Sequence, residues 1–469
     1  MAAKRKKPAA KPQRTAQPPA DYRVRVRMYR QGLGDCFLLS FRNADKEHTH
    51  VMIDCGVVLG TTRPAEPMKR VAQNLHTETN GKIDVLVITH EHWDHLSGFS
   101  PKQARKELAA IQFGQLWLAW TEDEKNDLAN ALRQERALKK AAAAALKKKL
   151  AKLGKKAKSR VNRLASLMGF NGPEPGTGDG GEGDGGTAGA LAFLKGKITR
   201  RQILEPGKTP LKIPGVDGVR VYVMGPPQDK AKLHKTNPGK GQGYGLTDAM
   251  SLSEAFGAAL GLGDGELAQP FAPTFRKQFK SIPPNNPYKN RENAWRNIDE
   301  DWLGVGERLA LQLDSDTNNT SLVLAFEFIE TEEVLLFVGD AQAGNWRSWD
   351  DYTWKVKDKN GDNAEVKAEQ LLSRTVLYKV GHHGSHNATL REKGLERMTH
   401  PDLVAMMPVD EKVAHEVKGW MHMPLPKLCD RLAEKCSAFV RSDLNQVSGT
   451  NPASVRLVPN PLYFDYYCL

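Results

Sequence analysis

The chain has 469 residues, of which 40% are hydrophobic, 26% charged and 7% aromatic. That composition supports a sizeable buried core and excludes a fibrous or wholly disordered chain, and the length suits one large interrupted domain or two or three smaller ones. The net charge of +13 is unevenly held: residues 1–20 contribute +6 through Lys4, Arg5, Lys6, Lys7, Lys11 and Arg14, residues 133–163 contribute +12, and the remainder is −5. Basic clusters of this kind are the footprint of a polyanion partner such as DNA or RNA, or else plain solvated surface. No apolar run reaches the roughly 20 residues that a membrane span needs. The basic opening segment lacks the apolar stretch of a secretory signal. The five cysteines (Cys36, Cys55, Cys429, Cys436, Cys468) show no C-x-x-C spacing and read as thiols in a reducing compartment, so a cytoplasmic protein is expected.

Residues 1–20 are Lys, Pro and Ala with almost no large apolar side chain, and read as a disordered arm. Arg23–Met28 alternates with period two, as a half-buried strand does. Cys36–Phe41 and Val51–Ile53 are further strands, 64–80 a short helix, Asp84–Thr89 a buried strand and Leu116–Trp120 another. Residues 121–170 are rich in helix formers. The Gly-rich stretch that follows, assigned to 171–189, reads as a linker. Val219–Met224 is a returning strand, 228–305 is irregular, and Ser321–Phe328 with Val334–Val338 forms a hairpin-like pair. Arg374–Val380 is a strand, 424–436 a helix, and Val455–Leu457 and Leu462–Tyr467 are closing strands. Strands and helices in two halves imply a layered α/β domain interrupted by an insertion: a first half over 21–120, an insertion over 121–305 and a second half over 306–469.

Three strand ends carry the chemistry. Thr89-His90-Glu91-His92-Trp93-Asp94-His95 puts four ligand-type side chains within six residues, directly after a buried strand. Imidazole with carboxylate suits zinc, and also manganese or iron, and burying such a set without a cation is costly. Val338-Gly339-Asp340-Ala341 is a second strand ended by a carboxylate. Val380-Gly381-His382-His383-Gly384-Ser385-His386 is a third, with adjacent histidines between glycines. Each loop alone reads as a turn; three in one chain point to a shared metal centre.

The H-x-H-x-D-H loop after a strand resembles the metallo-β-lactamase superfamily, and the motif order resembles its ComEC/Rec2-type competence hydrolase domains. The matching segments are Gly32-Leu33-Gly34-Asp35, Ile53-Asp54-Cys55-Gly56, Asp94-His95-Leu96-Ser97-Gly98, Asn319-Thr320-Ser321-Leu322-Val323-Leu324, Gly339-Asp340-Ala341, His382-His383-Gly384-Ser385 and His422-Met423-Pro424. The likeness covers residues 22–120, about 200–227 and 306–430. It implies an αβ/βα sandwich with two divalent ions, zinc first and manganese or iron as alternatives. His90 and His92 would bind one ion, Asp94 and His95 the other, and Asp340 would bridge them. One of His382 and His383 would complete the second position; His382, directly after Gly381, is favoured, with His383 turned toward substrate or toward the residues that support the ligands. Asp54 would orient the metal loop. In the place of a further mid-chain histidine the chain offers His234, and the resemblance suggests Asn319.

Two ions roughly 3.5–4 Å apart would convert a shared water to hydroxide near neutral pH, with Asp94 and Asp340 orienting it. His383, His386 and His422 are the candidate proton donors. The resemblance implies phosphodiester hydrolysis, of nucleic acid or a related phosphoester. A lactone, thioester or other non-phosphate ester is the alternative substrate class, and a nucleic-acid-binding module with a degenerate metal site the third reading. The Lys-rich segment and linker, lying between the two halves, are expected to form a flap over the site.

Overall fold

Near-continuous apolar runs cannot have a wet face, so each must be covered on both sides. The computed structural model, which describes residues 19–43, 47–152, 158–172, 186–238, 305–450 and 455–469, solves this with two packed sheets. In chain order the strands are β1 (Val24–Tyr29), β2 (Cys36–Arg42), β3 (His48–Cys55), β4 (Lys82–Ile88), β5 (Gln112–Ala119), β6 (Arg201–Leu204), β7 (Leu211–Lys212), β8 (Val219–Gly225), β9 (Val323–Phe328) and β10 (Val334–Phe337). They continue with a separate hairpin, β11 (Thr353–Lys357) and β12 (Asn363–Lys367). The last six are β13 (Thr375–Lys379), β14 (Val404–Met407), β15 (Ala438–Arg441), β16 (Val447–Gly449), β17 (Val455–Pro459) and β18 (Tyr463–Cys468). One sheet runs β17-β18-β1-β2-β3-β4-β5-β6 and the other β16-β15-β14-β13-β10-β9-β8-β7.

Alternation along each strand divides the side chains between layers. Phe37 and Leu39 of β2, Val85 and Val87 of β4, Leu324 and Phe326 of β9, and Leu335 and Phe337 of β10 meet between the sheets. The opposite faces of β2 and β4, with Leu38, Leu86 and Ile88, lie under Met68, Val71 and Leu75 of the Ala65–Glu78 helix and Leu191 and Leu194 of the Gly186–Lys197 helix. Val323, Ala325 and Leu336 on the other outer face meet Trp346, Leu428 and Leu432. The fold is therefore the expected α/β sandwich.

The structure corrects several expectations. β1 is not half-wet: Arg27 is 2% exposed and forms a two-pronged ion pair with Asp465 of β18, at 2.7 and 2.8 Å. The Ala65–Glu78 helix covers the face that the arginines occupy, through Asn74 and Glu78. The first sheet takes β6 beside β5 from beyond residue 120, and β18 beside β1 from the far end of the chain. Helix begins at Gly186, inside the span read as linker to 189. The Val305–Asn318 helix was not foreseen. Nearly all of the expected basic arm, most of the linker and most of 228–305 lie outside the described residues. All five cysteines are free, with Cys36 and Cys55 paired across β2 and β3. Among the described residues no helix is long and apolar enough to cross a membrane.

The Lys-rich segment packs rather than standing free. Ala143, Leu146 and Leu150 of the Asp127–Lys152 helix meet Leu164 and Leu167 of the Lys158–Met168 helix and Ala310 of the Val305–Asn318 helix. Part of its basic charge is spent internally. Arg133 donates to the carbonyls of Thr121 and Asp123, and Lys139 lies 2.8 Å from Glu135 and 2.6 Å from Asp316. Lys148, Lys152 and Lys158 are exposed.

Candidate metal centre

Parallel strands end on one edge of a sheet, and ligands gather beyond their carboxyl ends. β3, β4 and β5 run parallel in one sheet, and β10, β13 and β14 in the other. Asp54, the His90–His95 loop, Asp340 and the His382–His383 pair sit at four of those ends. Close backbone contact locks the loops together. Asp35 donates its N–H to the Asp94 carbonyl at 3.0 Å, and Gly56 donates to the Asp35 carbonyl at 3.0 Å. A Cβ on Gly56 would come within 2.3 Å of the Asp94 carbonyl carbon, so the D-x-G turn admits no side chain there. Asp54, His382 and His383 hold positive φ of 56°, 40° and 52°, a strained conformation for residues other than glycine.

Second-layer partners set the direction of two imidazoles. Asp54 accepts from the Thr89 N–H at 2.8 Å, the Thr89 hydroxyl at 2.6 Å and His95 Nδ1 at 2.7 Å. With Nδ1 donating, His95 presents Nε2, without a hydrogen-bond partner, 3.3 Å from Asp340 Oδ2. His383 repeats the device: Nδ1 donates to the Pro408 carbonyl at 2.7 Å, and Nε2 lies 2.8 Å from Asp94 Oδ2 and 4.0 Å from Asp340 Oδ2. Anchoring a histidine through one nitrogen to orient the other is how metal-binding histidines are held. One donor atom each from Asp35, His95, Asp340 and His383 lies within 4.8 Å of the others.

The outcome differs from expectation at several positions. His383, not His382, turns its ring into this group. His382 offers its backbone N–H to Asp340 Oδ1 at 3.0 Å, while its ring meets Ser385 and Asn318. His90 and His92 lie beside each other, His90 Nε2 being 3.0 Å from His92 Nδ1, and His92 Nε2 has no partner. Asn319 is not at the cluster. Its Nδ2 donates to the carbonyls of Lys232, Leu233 and Lys235, and its Oδ1 accepts from the N–H groups of Gln342 and Asn345. His234 is elsewhere too, 3.1 Å from Asp316. His422 and His386 are exposed, and among the described residues no hydrogen bond or ion pair joins either to the cluster.

Other residues escaped the sequence reading. Lys379, 1% exposed, donates to the Gly339 carbonyl at 2.8 Å and lies 2.5 Å from Asp35 and 3.5 Å from Asp340. A lysine within an otherwise apolar strand was the available clue. Phe170 stacks on Trp420 with centroids 4.9 Å apart and lies 5.3 Å from the His92 ring. Lys418 stands beside them, its Nζ 5.4 Å from the Trp420 ring centre.

Asp35, Asp54, Asp94, Asp340 and Asp314 are all buried here, with the Lys379 ammonium among them. Although burial opposes it, the field of Asp340, Asp54, Asp35 and Asp94 holds the His95 imidazolium well above its usual range. Against its own burial, Asp340 is held well below the carboxylate range by His95 and Lys379. Burial lowers His92 and His382 to about 4, which keeps them neutral and ready to donate a lone pair. Burial, with Asp94 and Asp340 nearby, pushes Asp314 well up. The unpartnered atoms His92 Nε2, Asp94 Oδ1 and Asp340 Oδ2, together with His95 Nε2 once its ring gives up a proton, are imidazole and carboxylate donors in a region of excess negative charge. That donor set fits divalent cations.

No curated protein and no solved structure is matched by the chain. Residues 30–134 match the model of the metallo-beta-lactamase superfamily, a span that contains Asp35, Asp54 and His90 to His95. Residues 30–134 are thus the superfamily-like part of the chain, and the metal-type loop at the end of β4 lies inside that segment.

Proposed function

We propose that this protein is a metal-dependent hydrolase of phosphodiesters, in nucleic acid or a related phosphoester, using two divalent ions, zinc first with manganese or iron as alternatives. The observation that carries the reading is the gathering of donor atoms from Asp35, His95, Asp340 and His383 within 4.8 Å of one another, with buried, unpartnered atoms on His92, Asp94, His95 and Asp340. In this assignment His90 and His92 would hold one cation and Asp94, His95 and His383 the other, with the Asp340 carboxylate available to both. Two divalent cations in such a site lower the pKa of water toward neutrality and take up negative charge that develops on a phosphoryl oxygen. Asp54 and the Pro408 carbonyl keep His95 and His383 in register through Nδ1. Lys379 offsets the charge of Asp35 and Asp340 without entering the donor set from solvent. Lys418 supplies a cation near the Phe170–Trp420 stack, which suits an anionic substrate carrying a flat base. The ordered likeness to ComEC/Rec2-type domains favours the same substrate class, and the basic residues of 1–20 and 133–163 would add sequence-independent polyanion affinity.

Turnover of a model phosphodiester and of single-stranded DNA with added Zn²⁺ or Mn²⁺ tests this. His92→Ala and Asp340→Asn should each cut turnover by more than about 100-fold with the circular dichroism spectrum unchanged. Turnover of a lactone or thioester panel without phosphodiester cleavage would move the function to the alternative ester class. Chelator-resistant DNA binding without any cleavage would leave only a binding module.

A further inference from the structure

The Val305–Asn318 helix lays its C-terminal half along the His92 side of the cluster. Ala310, Leu313, Asp314 and Thr317, spaced i, i+3, i+4 and i+7, form its buried face. Two of the four are ordinary apolar packing, and Thr317 returns its hydroxyl to the Leu313 carbonyl at 2.8 Å. Asp314 is different. It is 6% exposed, and its Oδ1 has no hydrogen-bond partner. That oxygen lies 3.6 Å from Nε2 of His92, which is equally buried and equally unpartnered. The gap is too long for a hydrogen bond. It is the separation of two ligands on one tetrahedral cation, each about 2.0–2.2 Å from it. Asn318, one turn on, donates through Nδ2 to Asp314 Oδ2 at 3.3 Å and leaves its own Oδ1 unpartnered.

Buried polar atoms are rarely left without partners, and two such atoms facing each other call for a third group between them. The nearby Glu135–His234–Asp316 group makes a useful contrast. Its donor atoms also lie within 4.8 Å of one another. There, however, the Lys139 ammonium sits 2.8 Å from Glu135 and 2.6 Å from Asp316, so the cation is supplied by the protein. Among the described residues no lysine or arginine forms an ion pair with Asp314.

We propose that Asp314 is a ligand to the cation held by His90 and His92, with Asn318 steadying the carboxylate. The inference rests on the metal-hydrolase reading and extends it to a helix outside the superfamily-matched segment. The test is metal uptake by the full chain, stripped with chelator and reloaded with Zn²⁺ or Co²⁺. Equivalents are read by elemental analysis, affinity by competition with a chromophoric chelator, and ligand change by the Co²⁺ absorption spectrum. Asp314→Ala and Asp314→Asn should each lose one ion relative to the wild type or bind it more than about 100-fold more weakly, since loss of a partner outside the ligand shell already costs about 10–100-fold. The Co²⁺ spectrum should change with it. Asp314→Asn keeps the size and the contact to Asn318, so it serves where the alanine variant does not fold. Wild-type uptake, affinity and spectrum in Asp314→Asn would overturn the assignment and leave the metal-hydrolase reading standing. No uptake by the wild type would overturn both.

Discussion

On one side of the cluster, His95 and His383 are each anchored through Nδ1, to a carboxylate and to a carbonyl, and both anchors lie within the sandwich. On the other side, His92 aims an unpartnered nitrogen at a helix that returns from an insertion. The first arrangement is held by residues at the ends of core strands of the two sheets. The second depends on three helices joined through Ala143, Leu146, Leu164, Leu167 and Ala310. A metal site built this way has one side set by the fold and one side set by what the chain has added to it.

The comparison can be broken most sharply at the adjacent histidines. If His383 belongs to the fold-set side and His382 only borders it, His383→Ala should lower metal affinity and turnover by more than about 100-fold, and His382→Ala by less than about 10-fold. Elemental analysis and kcat/KM on both variants check this, and the reverse ranking would return the role to His382. A smaller effect is expected at Lys418. Burial pulls the Lys418 ammonium down to about 8. The lysine is charged below that pH and loses its charge as pH rises through it, so its attraction for an anionic substrate is present at low pH and lost above about pH 8. KM for a phosphodiester should rise about 3- to 5-fold across that range, and Lys418→Met should show the high KM throughout with a flattened profile.

The strands were legible because interior strands need apolar side chains on both faces; β4, β9, β10 and β13 announce themselves in this way. The H-x-H-x-D-H loop and Asp340 were legible because ligand residues directly follow such runs. Asp35 and Lys379 were not recognised as a pair, because they meet only when the two sheets dock, 2.5 Å apart across 344 positions of chain. The choice between His382 and His383 turned on two left-handed residues in succession, which no local pattern announces. Asn319 carries a family-like motif, yet its side chain is occupied in clamping the Lys232–Lys235 turn. Asp314 went unnoticed because no element is expected between residues 305 and 321, where the Val305–Asn318 helix stands. Arg27 misled in the opposite sense: an arginine at every second position looks wet until Asp465, from the other end of the chain, covers it.

The central claim is that strand ends from both sheets jointly hold divalent ions. Anomalous diffraction from crystals of the full chain loaded with Zn²⁺, collected above and below the zinc edge, tests it most directly. The account predicts one anomalous peak bounded by Asp94, His95, His383 and Asp340, and a second bounded by His90, His92 and Asp340. Zinc-loaded crystals with no anomalous density among these residues would contradict it.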